Sequence, residues 1–189
     1  KKLAAFIKED KEAVIYALSV IAHNTSILAG EVIKSGKADG IYLSVQSIQD
    51  IKVGPDLYSE VVAPSELAVL TAANAAGGTN ILHICGYEGA KNNFNIFKNY
   101  PAKVINFASV VEGISLKKGK ELFGGKAVIG GFDNTKKGLL YTGTKEEIQA
   151  ETKRLLKEAG KTGIILGADC TVPKDINFER FEWVREAAK

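Results

Sequence analysis

The 189-residue sequence has few of the residues that mark several large classes of protein. It contains two cysteines, four prolines, one tryptophan and no methionine. Two cysteines are too few for a disulfide-built scaffold, and a content of 46% hydrophobic and 25% charged residues excludes disordered and collagen-like chains. We expect a globular chain the size of one domain. The missing methionine, absent even at position 1, predicts a piece of a longer protein.

Arginine and one-signed charge are also scarce. The only arginines are Arg154, Arg180 and Arg185, and the net charge of +3 is spread along the chain without a basic tract. A weak and dispersed positive charge argues against a nucleic-acid-binding function. Apolar runs such as 13–18 are far shorter than a membrane span, and the charged residues 8–11 interrupt any secretory signal. We therefore expect a cytoplasmic protein without a membrane partner.

Short apolar segments rich in strand-forming residues alternate with segments of helical periodicity. The predicted strands are 40–45, 80–85, 103–107, 126–131 and 163–167. The predicted helices are one that begins after Asp10 and ends at 35–36, then 64–76, 93–99, 115–122, one capped by Thr144, and one from about 178 to the end. This alternation predicts an α/β fold with a parallel sheet, in one domain over 1–189. The stretch 46–63 is predicted to be a long loop.

Two parallel architectures fit such an alternation. A dinucleotide-binding fold requires a glycine fingerprint after its first strand, and this sequence has none. A complete (β/α)8 TIM barrel has eight strands and about 250 residues. Five strands in 189 residues therefore fit about the last five β/α units of such a barrel.

Polar or thiol side chains end the predicted strands or follow them directly. In parallel α/β folds, functional groups collect at this end of the sheet. We therefore take these residues as site candidates, with Ser44 and Gln46 for substrate binding and Asn106 and Asp133 for catalysis. The other residues at these ends are His83, Cys85, Asn134, Asp169 and Cys170.

The pattern His83-Ile84-Cys85 has a geometric consequence. Alternate residues of a strand project to the same side, so the imidazole and the thiol should lie together. Cys170 would reach the same rim if the strands close into a barrel. One nitrogen and two sulfurs favour Zn²⁺, and three protein ligands leave a position open for a substrate thiol. The alternative is that these residues are buried and purely structural.

Four segments of the sequence resemble the uroporphyrinogen decarboxylase superfamily, in order and over nearly the whole chain. They are Gly36-Lys-Ala-Asp-Gly-Ile-Tyr-Leu-Ser, His83-Ile-Cys-Gly, Ile129-Gly-Gly-Phe-Asp-Asn and Ile165-Leu-Gly-Ala-Asp-Cys. The resemblance implies a TIM barrel of which this chain is the C-terminal portion. It also implies one of two activities, since the superfamily contains decarboxylases that act on a tetrapyrrole without metal and zinc-containing, cobalamin-dependent methyltransferases.

The resemblance is closer to the methyltransferases, such as methylcobalamin:coenzyme M methyltransferase. His83, Cys85 and Cys170 match their zinc pattern, whereas the loop Gly167-Ala-Asp-Cys170 lacks the histidine found in decarboxylases. This implies zinc, a small-molecule thiol and a methylcorrinoid carried by a corrinoid protein, with a homodimer left open. Removal of acetate carboxyls in porphyrin biosynthesis is the first alternative, and a non-catalytic binding barrel is the second.

Overall fold

The computed structural model describes residues 2–48, 50–86 and 90–189. Its five strands form one sheet in the order β1-β2-β3-β4-β5. They are β1 (Tyr42–Val45), β2 (Ile81–Ile84), β3 (Val104–Phe107), β4 (Ala127–Phe132) and β5 (Ile164–Ala168). The predicted α/β fold is confirmed, and each observed strand lies within one or two residues of its predicted place.

Helices separate the strands along the chain. They are α1 (Leu3–Glu9), α2 (Lys11–Lys34), α3 (Pro55–Val61), α4 (Ala63–Ala76), α5 (Phe94–Phe97), α6 (Ser109–Glu112), α7 (Leu116–Leu122), α8 (Leu139–Thr142), α9 (Lys145–Ala159) and α10 (Glu179–Ala187). The predicted caps are present. The Asp10 carboxylate accepts a hydrogen bond from the Ala13 N–H at 2.9 Å, and Thr144 forms a complete capping box with Glu147.

The prediction of a long loop over 46–63 is wrong, because α3 lies inside it. Gly54 caps this helix and Pro55 occupies its first turn, where proline is favoured because its missing N–H needs no partner. Tyr58 and Val61, three residues apart, are buried on one face. The helix has only seven residues, too few for a clear period in the sequence.

The chain divides into two compact units. Unit 1 comprises Lys1–His83 and Asn92–Lys103, and unit 2 comprises Ile84–Lys91 and Val104–Lys189. The single domain over 1–189 that the sequence suggests remains a prediction.

In unit 1, α2 packs against α4 through small side chains. Ala22, Ala29 and Ile33 of α2 meet Val69 and Ala73 of α4 in a buried cluster. Alanines at the contact let the two helices approach closely, and the rest of the cluster supplies apolar area worth about 25 cal/mol per Å² buried.

Helix α2 corrects the expectation that no segment is long and apolar enough to cross a membrane. It meets that description by length and composition, and only 11% of its apolar window is buried. Core helices of soluble proteins and N-terminal signal sequences pass the same test. The helix alone therefore does not indicate a membrane protein.

A second feature of unit 1 is a carboxylate between two phenols. The Tyr58 and Tyr100 hydroxyls each donate to the Glu66 carboxylate at 2.6 Å. Both tyrosines are almost fully buried. Burial raises the pKa of Glu66 above its usual range, although the two hydrogen bonds act in the opposite direction.

We expect the substitution Glu66→Gln to remove a pH-dependent part of the stability. Because the folded pKa of Glu66 is raised, the native state binds this proton more readily than the unfolded state. The free energy of unfolding should therefore fall as the pH rises from about 4.3, the ordinary glutamate pKa, through the folded pKa, and then level off.

Urea unfolding of both proteins between pH 4 and pH 8, in steps of about half a unit, checks this. The wild-type free energy minus that of Glu66→Gln should decrease with pH. A difference that rises with pH would mean that the hydrogen bonds outweigh burial. The matched change Glu60→Gln at an exposed ion pair with Lys11 should leave the profile nearly unchanged.

In unit 2, β3, β4 and β5 are parallel. Asn106 of β3 is aligned with Ile129 of β4, and Phe132 of β4 with Ala168 of β5. The side chains that fill the core beside these strands are Phe107, Leu116, Phe123, Val128, Leu140 and Ile148, each no more than 2% exposed. Because the strands are parallel and in register, residues that follow β4 and β5 lie side by side at one edge.

Candidate metal centre

The two cysteines of the chain lie beside each other. Cys85 is the first residue after β2 and Cys170 is the second after β5. Their sulfur atoms are 3.9 Å apart, and both side chains are partly exposed. The fold thus brings together two residues that are 85 positions apart in the sequence.

His83 lies within β2, two residues before Cys85. It is 3% exposed, and its ring stacks on Tyr42 of β1 with the ring centroids 5.1 Å apart and the planes 24° from parallel. Tyr42 itself is 53% exposed. The stacked phenol holds the imidazole in one plane and limits its rotation.

His83, Cys85 and Cys170 form a group that could hold a metal ion, as the sequence predicts. Their ligand atoms all lie within 4.8 Å of one another. Two thiolates on one tetrahedral zinc, with Zn–S bonds of 2.3 Å, are about 3.8 Å apart, and the observed sulfur distance is 3.9 Å. The donor set and its spacing therefore fit zinc.

The environment of Cys85 keeps its thiol protonated. Burial, with a smaller contribution from Cys170, raises the pKa of Cys85 to about 11. Metal ions bind the thiolate form of cysteine. A metal ion that binds Cys85 at neutral pH must therefore displace the proton of its thiol.

Asp169, the residue before Cys170, makes a dense set of hydrogen bonds. Its Oδ1 accepts from the Ser109 hydroxyl at 2.8 Å and from the Gly131 N–H at 3.0 Å, and its Oδ2 accepts from the Val110 N–H at 2.8 Å. The side chain is 1% exposed. Burial raises the pKa of this carboxyl, while the hydrogen bonds from Val110, Ser109 and Gly131 act to lower it. Asp169 thus joins the end of β5 to β4 and to the start of α6.

Glycine is required at the β4 end of this network. Gly131 has a φ of +111°, and a Cβ there would lie 2.9 Å from a Leu155 methyl group. A Cβ on Gly130 would lie 3.1 Å from the Asp169 carboxylate. The pair Gly130-Gly131 therefore leaves room for Asp169 and aims an N–H at it. This pair was the sequence signal that could have identified the role of Asp169.

The other candidates are placed as follows. The Asn106 amide, 1% exposed, donates to the Ile129 carbonyl at 3.0 Å, and the Asp133 carboxylate accepts from the Thr135 N–H at 2.8 Å in a turn. Ser44 and Gln46 line a cavity of about 130 Å³ in unit 1. The catalytic and substrate-binding roles of these four residues remain predictions.

Comparison with known proteins supplies the family. A protein-family model described as uroporphyrinogen decarboxylase (URO-D) matches residues 1–189. The chain belongs to the uroporphyrinogen decarboxylase family. The resemblance of the sequence to the superfamily as a whole is confirmed, and the parallel five-stranded sheet with its helices is consistent with part of the TIM barrel of that family. A search of the curated proteins finds no match.

Members of the uroporphyrinogen decarboxylase family are enzymes. The family model covers every residue named above, including both cysteine loops. The family match does not decide between decarboxylation and methyl transfer, so the choice between these reactions depends on the chemistry of the side chains.

Proposed function

We propose that this chain is a zinc-dependent methyltransferase that activates a thiol and moves a methyl group to it from a corrinoid. The observation that carries this proposal is the pair of cysteine sulfurs 3.9 Å apart, in a group with His83. A nitrogen and two sulfurs favour zinc, and three ligands leave one position for a substrate.

The chain would contribute the ligands and the chemistry would proceed at the substrate sulfur. His83, Cys85 and Cys170 would hold the ion, and bound zinc would keep a substrate thiol deprotonated at neutral pH. The sulfur electron pair would form the new C–S bond. The Co–C bond of the donor would break with its electron pair left on cobalt. The thiol proton would pass to solvent.

The proposed partners follow from this reaction. They are a small-molecule thiol and a corrinoid protein that delivers the methyl group. A reducing compartment such as the cytoplasm would keep both cysteines as thiols. We retain Asn106 and Asp133 as catalytic candidates and Ser44 and Gln46 as substrate-binding candidates.

Decarboxylation of a polycarboxylate is less well supported by the arginines of the chain. Arg154 is paired with Glu151 and Glu158. Arg180 donates to the carbonyls of Leu140 and Gly143. Arg185 is paired with Glu182. All three arginines are therefore engaged with groups of the chain, whereas binding several carboxylates would require cations directed at the substrate.

A methyl-transfer assay tests the proposal. Zinc-loaded protein is mixed with methylcobalamin and a panel of small thiols, with 2-mercaptoethanesulfonate as the first. The methyl thioether is measured by mass spectrometry. Loss of a partner that only orients a ligand costs about 10- to 100-fold in metal-site function. Cys85→Ser and Cys170→Ser should therefore reduce the rate by more than about 100-fold.

Thr171→Ala is the matched control, because this exposed residue follows Cys170 and uses its carbonyl, not its side chain, to accept from Asn134. It should keep nearly the wild-type rate. Equal rates in the wild type and both cysteine variants would refute the proposal. Conversion of uroporphyrinogen to coproporphyrinogen without methyl transfer would favour a decarboxylase, and neither reaction would favour a binding barrel.

A further inference from the structure

A short segment of unit 2 touches the loops that carry both cysteines. This 108–110 segment consists of Ala108, Ser109 and Val110, and it forms the start of α6. On one side it contacts the residue that follows Cys85, and on the other it contacts the residue that precedes Cys170. Its position relative to each loop therefore affects the distance between the two thiols.

The contact on the Cys85 side is steric. A Cβ added to Gly86 would lie 2.3 Å from the Ala108 Cβ, a separation that real atoms do not reach. The backbone directly after Cys85 is thus packed against Ala108. Glycine permits this approach, and it fixes how far the Cys85 loop stands from the 108–110 segment.

The contact on the Cys170 side is polar and is made by Asp169. Its carboxylate accepts from the Ser109 hydroxyl and the Val110 N–H, both at 2.8 Å. Its own N–H donates to the Phe132 carbonyl at 2.8 Å and so continues the ladder between β4 and β5. Both the backbone and the side chain of Asp169 are therefore held, and Cys170 projects from the next position.

We propose that Asp169 is a positioning residue for the metal centre, and that through the 108–110 segment it sets the distance between the Cys85 and Cys170 thiols. The role as part of a zinc site rests on the proposed function, whereas the effect on thiol distance does not. Side chains that orient metal ligands without touching the metal commonly change affinity by about 10- to 100-fold.

The informative variant is Asp169→Asn. Its amide has the same shape, but one oxygen is replaced by an NH₂ group that cannot accept a hydrogen bond. Either the Val110 N–H or the Gly131 N–H then faces another donor, whereas the Ser109 hydroxyl can turn and accept from the new NH₂ group. A buried N–H group without an acceptor lowers the stability of the folded protein. The loop that carries Asp169 should therefore shift and move Cys170 with it. Ser109→Ala removes a single bond and serves if Asp169→Asn fails to fold.

The first measurement needs no metal. Reduced protein is treated with one equivalent of 4,4′-dithiodipyridine. One cysteine forms a mixed disulfide and releases one thiopyridone. The second thiolate then attacks this disulfide, releases a second thiopyridone and completes a Cys85–Cys170 bond, which mass spectrometry identifies. A misplacement of about 1 Å can slow an intramolecular step about 100-fold, so Asp169→Asn should slow the second release by about 10- to 100-fold.

The second measurement is zinc affinity by competition with a chromophoric chelator. Asp169→Asn should bind zinc about 10- to 100-fold more weakly than the wild type. The matched control is Asp50→Asn in unit 1, since Asp50 is also buried and accepts from two backbone N–H groups, those of Ala4 and Lys52. It should leave the second thiopyridone release and the zinc affinity nearly unchanged.

The outcomes separate the two ideas. A folded Asp169→Asn protein with wild-type rates of the second release overturns the positioning role, as does an equal effect of Asp50→Asn. A wild type that joins its thiols rapidly but binds no zinc refutes the proposed function, while slower joining in Asp169→Asn still supports the positioning role. If Asp169→Asn does not fold, an unchanged second release in Ser109→Ala overturns the positioning role.

Discussion

Removing one cysteine should abolish tight zinc binding. The wild type, purified with zinc and dialysed, should retain about one ion per chain, whereas Cys170→Ala should retain less than about a tenth of that amount. The reason is the size of the donor set, because His83 and Cys85 alone provide one nitrogen and one sulfur. Zinc sites in proteins take at least three protein ligands, so two are too few for stoichiometric binding.

Elemental analysis with a protein assay measures this ratio. Cys85→Ala should behave like Cys170→Ala, since both sulfurs contribute to the same group. Thr171→Ala should retain the wild-type ratio, because its exposed side chain adjoins Cys170 without belonging to the donor set. Full zinc retention in either cysteine variant would show that the ion binds elsewhere, and no zinc in the wild type would refute the site itself.

The strands and the longer helices could be predicted because their signals are local. The composition of a run such as Ile81–Ile84 is enough to predict a strand. The capping box that predicts the start of α9 involves only the four residues from Thr144 to Glu147. The same holds for the relation between His83 and Cys85, since alternation along one strand is a property of the backbone. These features required no knowledge of distant contacts.

Short helices and the roles of buried polar groups could not be predicted, because they depend on tertiary contacts. Helix α3 buries two of its residues against the rest of unit 1, and seven residues are too few for the sequence to show which side chains will be buried. Asn106 shows the difficulty, since an amide near the end of an apolar strand can face a ligand or satisfy a neighbouring strand. In the structure its amide donates to the Ile129 carbonyl, a partner 23 positions away in sequence.

The network at Asp169 is a further case. Its three donors come from Ser109, Val110 and Gly131, two regions far from it in sequence. An aspartate after a strand is more often a turn residue, and in the sequence only the glycine pair Gly130-Gly131 of the neighbouring strand distinguishes Asp169 from one. The fold makes Asp169 the better-held residue and leaves Cys170 partly exposed for ligand binding.

The largest effect on stability is expected in the core of unit 2. Phe107 is fully buried at the end of β3, and Gly119 of α7 faces its ring. Phe107→Ala should reduce the free energy of unfolding by about 3–5 kcal/mol, because the lost ring leaves a cavity. A Cβ on Gly119 would lie 2.4 Å from the Phe107 Cζ, so only glycine at this position leaves enough space for the ring.

The two positions should therefore be coupled, and the sign of one substitution should reverse. Gly119→Ala alone should destabilise the protein, since overpacking typically costs about 1–3 kcal/mol and exceeds the helix-propensity gain of about 1 kcal/mol. In the Phe107→Ala background the added methyl group enters the cavity, and Gly119→Ala should become stabilising by about 1 kcal/mol. Urea unfolding of the four proteins measures this coupling.

Gly30→Ala in α2 is the matched control, because a Cβ there meets no atom within 4 Å. It should stabilise the protein by up to about 1 kcal/mol in both backgrounds. If Gly119→Ala had the same effect with and without the Phe107 ring, then the ring would not be what requires glycine in α7. A reversal of sign at position 119 but not at position 30 would instead show that β3 and α7 are fitted to each other through this one ring.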